Sequence, residues 1–251
     1  MRQRFVVKVL GVFAMAVVAL AVPSGAASGA LPEACHTTVV KTTMSPVRTV
    51  VGARAVKTST YTVVLDNNCD NPGLFVNLAS TDDVVGQNIT MNSPSTDGKG
   101  RYTFTGSTSW DPATMNNAQY AGTWISVIDV FSDNGPSLSS LGADFSVLRA
   151  TTVTAKTSAV ATKGTLIPVT GRLTRANWDS GTNVHYVGQR ADLQFKTPTG
   201  VYTTIKSSRS TSNGFLFNFV QANADGCFRY LYRGNATTVS SASSAACVDV
   251  R

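Results

Sequence analysis

The stretch RANWDSGTNVHYVGQ, Arg175 to Gln189, gathers Trp178, Asp179, Ser180, Asn183, His185 and Tyr186 within one connection between strand-like segments. Serine, histidine and carboxylate spell a hydrolytic triad on paper. A triad also needs an oxyanion hole and a positioned nucleophile, and no nucleophile-elbow pattern surrounds Ser180. An exposed tryptophan beside amides and a carboxylate suits the CH-rich face and hydroxyl rim of a sugar ring. Arg175, Trp178, Asp179, Asn183, His185 and Tyr186 therefore form the candidate ligand set. A connection this long in a compact sandwich is commonly functional or mobile. A plainer arrangement is favoured because a lone tryptophan is usually buried: Trp178 folds back onto the sandwich edge and the loop is an ordinary hairpin.

Other constellations are thinner. DNNCDNPG brings Asp66 and Asp70 together with amides, and STDD adds Asp82 and Asp83, which makes a weak calcium candidate. Asp and Asn are also the ordinary turn formers, and neither stretch fits the twelve-residue calcium loop. Glycosidases need two carboxylates across a cleft, but Glu33 is the one glutamate in the chain and few aspartates lie outside turns. The expected protein is non-catalytic and carries no cofactor.

The elements that would position these residues begin after an export signal. Arg2, Arg4 and Lys8 precede an apolar run from Val9 to Val22, followed by the small residues PSGAASGA. That is the layout of a secretory signal peptide, with cleavage expected between Ala26 and Ala30, and its apolar run is short for a membrane span. No second long apolar run follows, so no membrane span is expected in the mature chain, which is read as secreted and extracellular. In that setting Cys35, Cys69, Cys227 and Cys247 read as disulfides rather than as a zinc site, for which the histidines are too few and no close cysteine pair exists. Four cysteines allow three pairings, and pairing within each half is the expected one.

Alternation of apolar and polar residues marks strands along the whole chain. They are expected near Thr37–Met44, Ala53–Leu65, Leu74–Ala79, Val84–Met91, Arg101–Ser107, Gly122–Phe131 and Ala143–Leu148. A second set is expected near Thr152–Val160, Thr165–Thr174, Ala191–Lys196, Tyr202–Ser207, Phe215–Val220, Cys227–Tyr232 and Ala246–Val250. No sustained helical period appears beyond the leader. The halves share landmarks: DGKGRYTF overlies SNGFLFNF, AGTWISVIDV overlies DGCFRYLY, and ADFSVLRA overlies AACVDVR. Seven short strands in about a hundred residues are what an immunoglobulin-like sandwich requires.

The second half, from TTVTAKTSAVATKGTLIPVTGRLTRANW through GQRADLQFK to DGCFRYLYRGN and VDVR, resembles Ig-like modules of secreted actinobacterial proteins. The resemblance covers about the last hundred residues well and the first half loosely. It implies a β-sandwich and an extracellular life, and little about activity. The chain is thus expected to be all-β: two tandem immunoglobulin-like β-sandwich domains, 31–150 and 151–251, after a cleaved signal peptide, 1–30.

Charge separates the halves. Residues 31–150 hold seven Lys and Arg against ten Asp and Glu, a net −3, whereas 151–251 hold eleven against four, a net +7. A basic half suits an anionic polymer, and opposite halves can equally dock on one another. The arginines are spread over several strands without a nucleic-acid motif, so no nucleic acid is expected as partner. The favoured expectation is binding of an anionic cell-envelope or environmental polysaccharide. The alternative is a structural or protein–protein module with another extracellular protein as partner.

Overall fold

The computed structural model describes residues 35–81, 86–115 and 118–251; the expected leader and Asp82 and Asp83 lie outside them. Residues Cys35–Arg251 form one compact unit. In chain order its first ten strands are β1 (Thr37–Ser45), β2 (Arg48–Val51), β3 (Lys57–Asn67), β4 (Gly73–Ser80), β5 (Gly86–Ile89), β6 (Ser95–Thr96), β7 (Arg101–Trp110), β8 (Gly122–Phe131), β9 (Leu138–Leu141) and β10 (Phe145–Arg149). One sheet runs β1-β3-β7-β6. The facing sheet runs β2-β10-β8-β4-β5, with β9 also on β8. Lettered by position, these are the A-B-E-D and G-F-C-C′ sheets of an immunoglobulin sandwich, with β2 laid parallel on β10.

The second ten are β11 (Thr151–Val153), β12 (Val160–Ala161), β13 (Leu166–Asn177), β14 (Thr182–His185), β15 (Arg190–Lys196), β16 (Thr203–Arg209), β17 (Phe215–Gln221), β18 (Gly226–Tyr232), β19 (Ser241–Ala242) and β20 (Ala246–Val250). Here β13 pairs with β11, β14 and β17, while the facing sheet runs β12-β20-β18-β15-β16 with β19 on β18. The plan is similar, with two differences: β14 pairs with β13 where β3 has only β1 and β7, and among the described strands none pairs along the second edge of β17, where β6 pairs with β7 in the first sandwich.

Two expected strands are shortened or divided. Ala53–Leu65 begins only at Lys57, and Thr152–Val160 breaks into β11 and β12. In both halves the opening segment leaves one sheet and joins the other, as β2 does on β10 and β12 on β20. A continuous strand cannot pair with both sheets of a sandwich, so the chain must bend between them.

The alternation read from sequence fills the cores. Along β8, Trp124, Ser126, Ile128 and Val130 point inward, and along β18, Phe228, Tyr230 and Tyr232 do. Trp110 packs edge-on against Trp124 at 5.1 Å between ring centres, with Phe145 beside both. Buried polar tips find partners, as they must. The Trp110 indole donates to Ser59 at 3.0 Å, and that of Trp124 to the Tyr120 carbonyl at 3.0 Å.

Cys35 bonds Cys69, and Cys227 bonds Cys247. Neither joins the two sheets of a sandwich: Cys69 follows β3 and Cys35 precedes β1, while Cys227 and Cys247 face each other on neighbouring strands. Tyrosines tie the sheets instead. The Tyr61 hydroxyl on β3 bonds Ser126 on β8, and Tyr230 on β18 donates to the Val169 carbonyl on β13 at 2.9 Å.

Candidate functional site

The RANWDSGTNVHYVGQ segment is a β-hairpin: β13 runs on to Asn177, turns through Gly181 at φ +61°, and returns as β14 with Thr182 opposite Asn177. Its tip reaches the first sandwich. Trp178 is 2 % exposed and packs with the first sandwich's core residues. Its indole donates to the Gly52 carbonyl at 3.1 Å, and Arg54 Nε donates to the Gly181 carbonyl at 2.7 Å. An outward-facing sugar platform at Trp178 is therefore not what this conformation presents.

The rest of the ligand set scatters around that contact. Asp179, Asn183 and His185 are exposed. Tyr186 is buried, with the Arg175 guanidinium 4.7 Å from its ring centre. Ser180 shares its hydroxyl hydrogen bond with Thr182 at 2.9 Å. The weak calcium candidates have protein partners: Asp66 faces Arg101 at 4.0 Å, and Asp70 accepts from Asn134 at 2.7 Å. Among the described residues, no group of three or more His, Cys, Asp and Glu side chains is placed to hold a metal.

Two surfaces that sequence reading did not single out carry more. The first is the outer face of β17. Strand alternation sends Leu216 and Val220 inward and Phe215, Phe217 and Phe219 outward, at 37, 41 and 49 % exposure. Their rings touch in series, 6.3 Å and then 4.7 Å between centres. Leu166 and Pro168 on β13 extend the apolar strip, since Pro168 pairs with Phe219. Arg172 lies opposite Phe215, and Lys206 donates to the Phe219 carbonyl at 2.5 Å, so the strip is rimmed by cations. SNGFLFNF showed the alternation, but alternation alone does not tell which set faces inward.

The second surface is the outer face of the β18-β15-β16 sheet. Asp192 on β15 is buried and accepts from Ser207 at 2.8 Å and from Arg233 at 2.7 Å, with Arg190 at 3.6 Å. Burial alone would raise its carboxyl. The Ser207 hydrogen bond, then the Arg233 bond and the charges of Arg233 and Arg190, outweigh that and hold it below the ordinary carboxylate value. Arg209 donates to the Gly188 carbonyl at 2.9 Å. Asp192, Arg190, Arg209, Arg233 and Gly188 line a pocket of about 580 Å³. Next along the sheet, Arg229 donates to Gln194 at 2.8 Å and stacks 3.8 Å above the Tyr202 ring.

No protein-family model matches this sequence, and no curated protein does. Similar solved structures include the three N-terminal domains of the highly immunogenic outer capsid protein of bacteriophage RB49, at 11 % identity over 86 % of this chain and 71 % of that one, with a TM-score of 0.32. A marsupial T cell receptor is similar at 9 % identity over 84 % of this chain and 72 % of that chain, TM-score 0.37. The fibronectin(III)-like modules of Clostridium thermocellum CbhA are similar at 13 % identity, 86 % and 93 % coverage and TM-score 0.33. The strand order given above, not these distant likenesses, defines the architecture.

Proposed function

We propose that this β-sandwich protein is an exported, non-catalytic interaction module that docks another extracellular protein through the open side of its second sandwich. One observation carries the reading: Phe215, Phe217 and Phe219 stand in line on the outer face of a strand whose second edge has no strand partner among the described residues. Three exposed phenylalanines in contact are unusual on a surface that meets only water, and contiguous apolar surface rimmed by polar groups marks an interaction site. The edge lacks a strand partner, although Thr211 holds both backbone groups of Phe215 and Lys206 holds the Phe219 carbonyl, so the docking reading rests on the apolar face rather than on strand addition. Arg172 and Lys206 at the rim favour a partner with acidic groups around an apolar centre.

Export supports the same reading. The leader-like start and two disulfides belong together in an oxidising compartment. The glycan reading loses the exposed Trp178 ring on which it leaned, and what remains for it is the arginine face.

The experiment places a photo-crosslinking phenylalanine analogue at position 217 of the full chain and irradiates it in the extracellular medium of its producing cells. A discrete conjugate is expected, competed away by unlabelled protein and not by a folded Phe217→Ser/Phe219→Ser variant. If no such conjugate forms, or if the variant competes as well as the parent, the docking reading fails.

A further inference from the structure

We propose that the Asp192 pocket is an oxyanion site, and that it takes the carboxylate or phosphate group of an acidic saccharide chain. The pocket lies on the face of the second sandwich opposite the phenylalanine strip, so one face can hold a polymer while the other holds a protein. The inference does not depend on the docking reading.

The first ground is convergence. Arg190 and Arg209 are directly paired across β15 and β16, and Arg233 closes the pocket from the end of β18. Three guanidinium groups against one carboxylate leave an excess of two positive charges around a concave surface. Like charges gather at a cost, and an arriving anion relieves it.

The second ground is preorganisation. Each guanidinium is held by one edge and leaves donors free. Arg233 and Arg190 present Nε to Asp192, Arg190 also reaches Ser207 at 3.1 Å, and Arg209 is fixed by the Gly188 carbonyl. Asp192 is thus a bracket for the arginines, buried with its charge retained, rather than a competitor at the mouth of the pocket. A guanidinium has five donors in a rigid fork, so one edge can be tied down while another binds a planar oxyanion bidentately. Held side chains lose less freedom when the ligand arrives.

The third ground is continuity. Lys196 and Arg229 continue the positive face from the pocket along β15 and β18, so an extended chain with repeated anionic groups meets more than one cation. Sequence-independent single-strand nucleic-acid binding combines such a face with exposed rings on which bases stack. On this face Tyr202 already carries Arg229 over its ring at 3.8 Å and Lys196 at 5.2 Å. The surface offers forks for oxyanions and hydroxyl partners such as Thr204, not a stacking platform, which favours a saccharide backbone.

The test measures binding of the full chain to polygalacturonate, to a phosphomannan and to neutral dextran at low salt, with single-stranded DNA as a fourth probe. Binding to at least one of the two acidic glycans and none to dextran is expected, weakening steeply as salt rises; the first two arms separate carboxylate from phosphate. Arg209→Gln, which breaks only an exposed bond to Gly188, is expected to weaken that binding about tenfold. Arg209→Lys keeps the charge, loses the fork, and should fall between. Lys163→Gln, a charge-matched control on a turn, should change affinity less than about twofold, and thermal melting confirms that each variant is folded. The proposal is overturned if neither acidic glycan binds, if Lys163→Gln weakens binding as much as Arg209→Gln, or if DNA binds as tightly through the same arginine.

Discussion

Trp178, on the hairpin tip of the second sandwich, donates its indole proton to the backbone carbonyl of Gly52 in the first, at 3.1 Å. The ring completes the first sandwich's core from outside its own strands, beside Ala176. Backbone bonds support the same junction. Ala150 donates to Val51, Ala176 donates to Ala150, and Arg149 exchanges bonds with Thr237 and Val239. The segment between the two pairs of sheets is therefore pinned on both sides rather than left as a free linker. The long loop that looked like a ligand clamp serves as a clasp.

Replacing the clasp should be costly. Trp178→Ala is expected to destabilise the protein by about 3–5 kcal/mol, the usual range for a buried tryptophan, and to separate the calorimetric unfolding into two transitions. Trp178→Phe keeps most of the packing and gives up the indole bond, so a loss of about 1 kcal/mol is expected. A Trp178→Ala protein that melts like the parent would show that the clasp holds nothing.

Arg149 gives a test of opposite sign. It is buried beneath the Trp178 ring, 5.1 Å from the ring centre, and its Nε and Nη2 have no hydrogen-bond partner among the described residues. Burial, and then the like charge of Arg175, pull its pKa below the ordinary guanidinium value. A cation–π contact offsets part of that cost. Asp179 favours the charge without forming an ion pair with it among the described residues, so a charge taken out of water in this way is the less stable choice, and apolar replacement of such groups is often stabilising. Arg149→Met should raise the melting temperature, by about 1 kcal/mol of stability; a clear fall in denaturant midpoint would contradict it.

Gly171 tests how closely the second sandwich is packed. A Cβ there would sit 2.2 Å from the Thr154 carbonyl oxygen and 2.8 Å from the Tyr230 ring. The first obstacle is backbone and the second a ring whose hydroxyl is bound to Val169, so neither can give way freely. Gly171→Ala is expected to cost about 2–3 kcal/mol, read as a lowered midpoint in urea, and Gly188→Ala makes a poor control because its φ is +72°. Gly52, with nothing near its would-be Cβ, is the better one.

What the sequence made legible follows from alternation. Trp124, Ser126, Ile128 and Val130, and likewise Phe228, Tyr230 and Tyr232, recur at every second residue and are all buried. That pattern was enough for the long strands and for the immunoglobulin-like plan. Strands of two to four residues, such as β2, β6 and β14, are too short to show a period, and pairing alone creates them. The arginine pocket was hidden for another reason. Asp192 and Arg233 lie 41 residues apart and meet only because Asp192 pairs with Leu231 across β15 and β18. The outward positions of those strands were visible as charged residues, but their register was not. The phenylalanine strip was missed because aromatic residues on a strand read first as core, whereas on β17 the smaller set, Leu216 and Val220, fills it.

Asp192 links the pocket to stability and sets a pH dependence. Its folded-state pKa is depressed, so the carboxylate's contribution is complete above the unfolded value, about 3.9. That contribution is lost as pH falls below it and through the lower folded value. The parent protein should therefore lose stability in acid below about pH 4. Asp192→Asn cannot accept the Ser207 and Arg233 hydrogen bonds as an anion, and it leaves Arg190 and Arg233 facing each other without a counter-charge. A loss of about 2 kcal/mol at neutral pH is expected, together with a shallower acid limb than the parent's, measured by urea unfolding between pH 2.5 and pH 7. Equal acid limbs in the two proteins would mean that Asp192 does not brace the arginines, and the anion pocket would lose its preorganised frame with it.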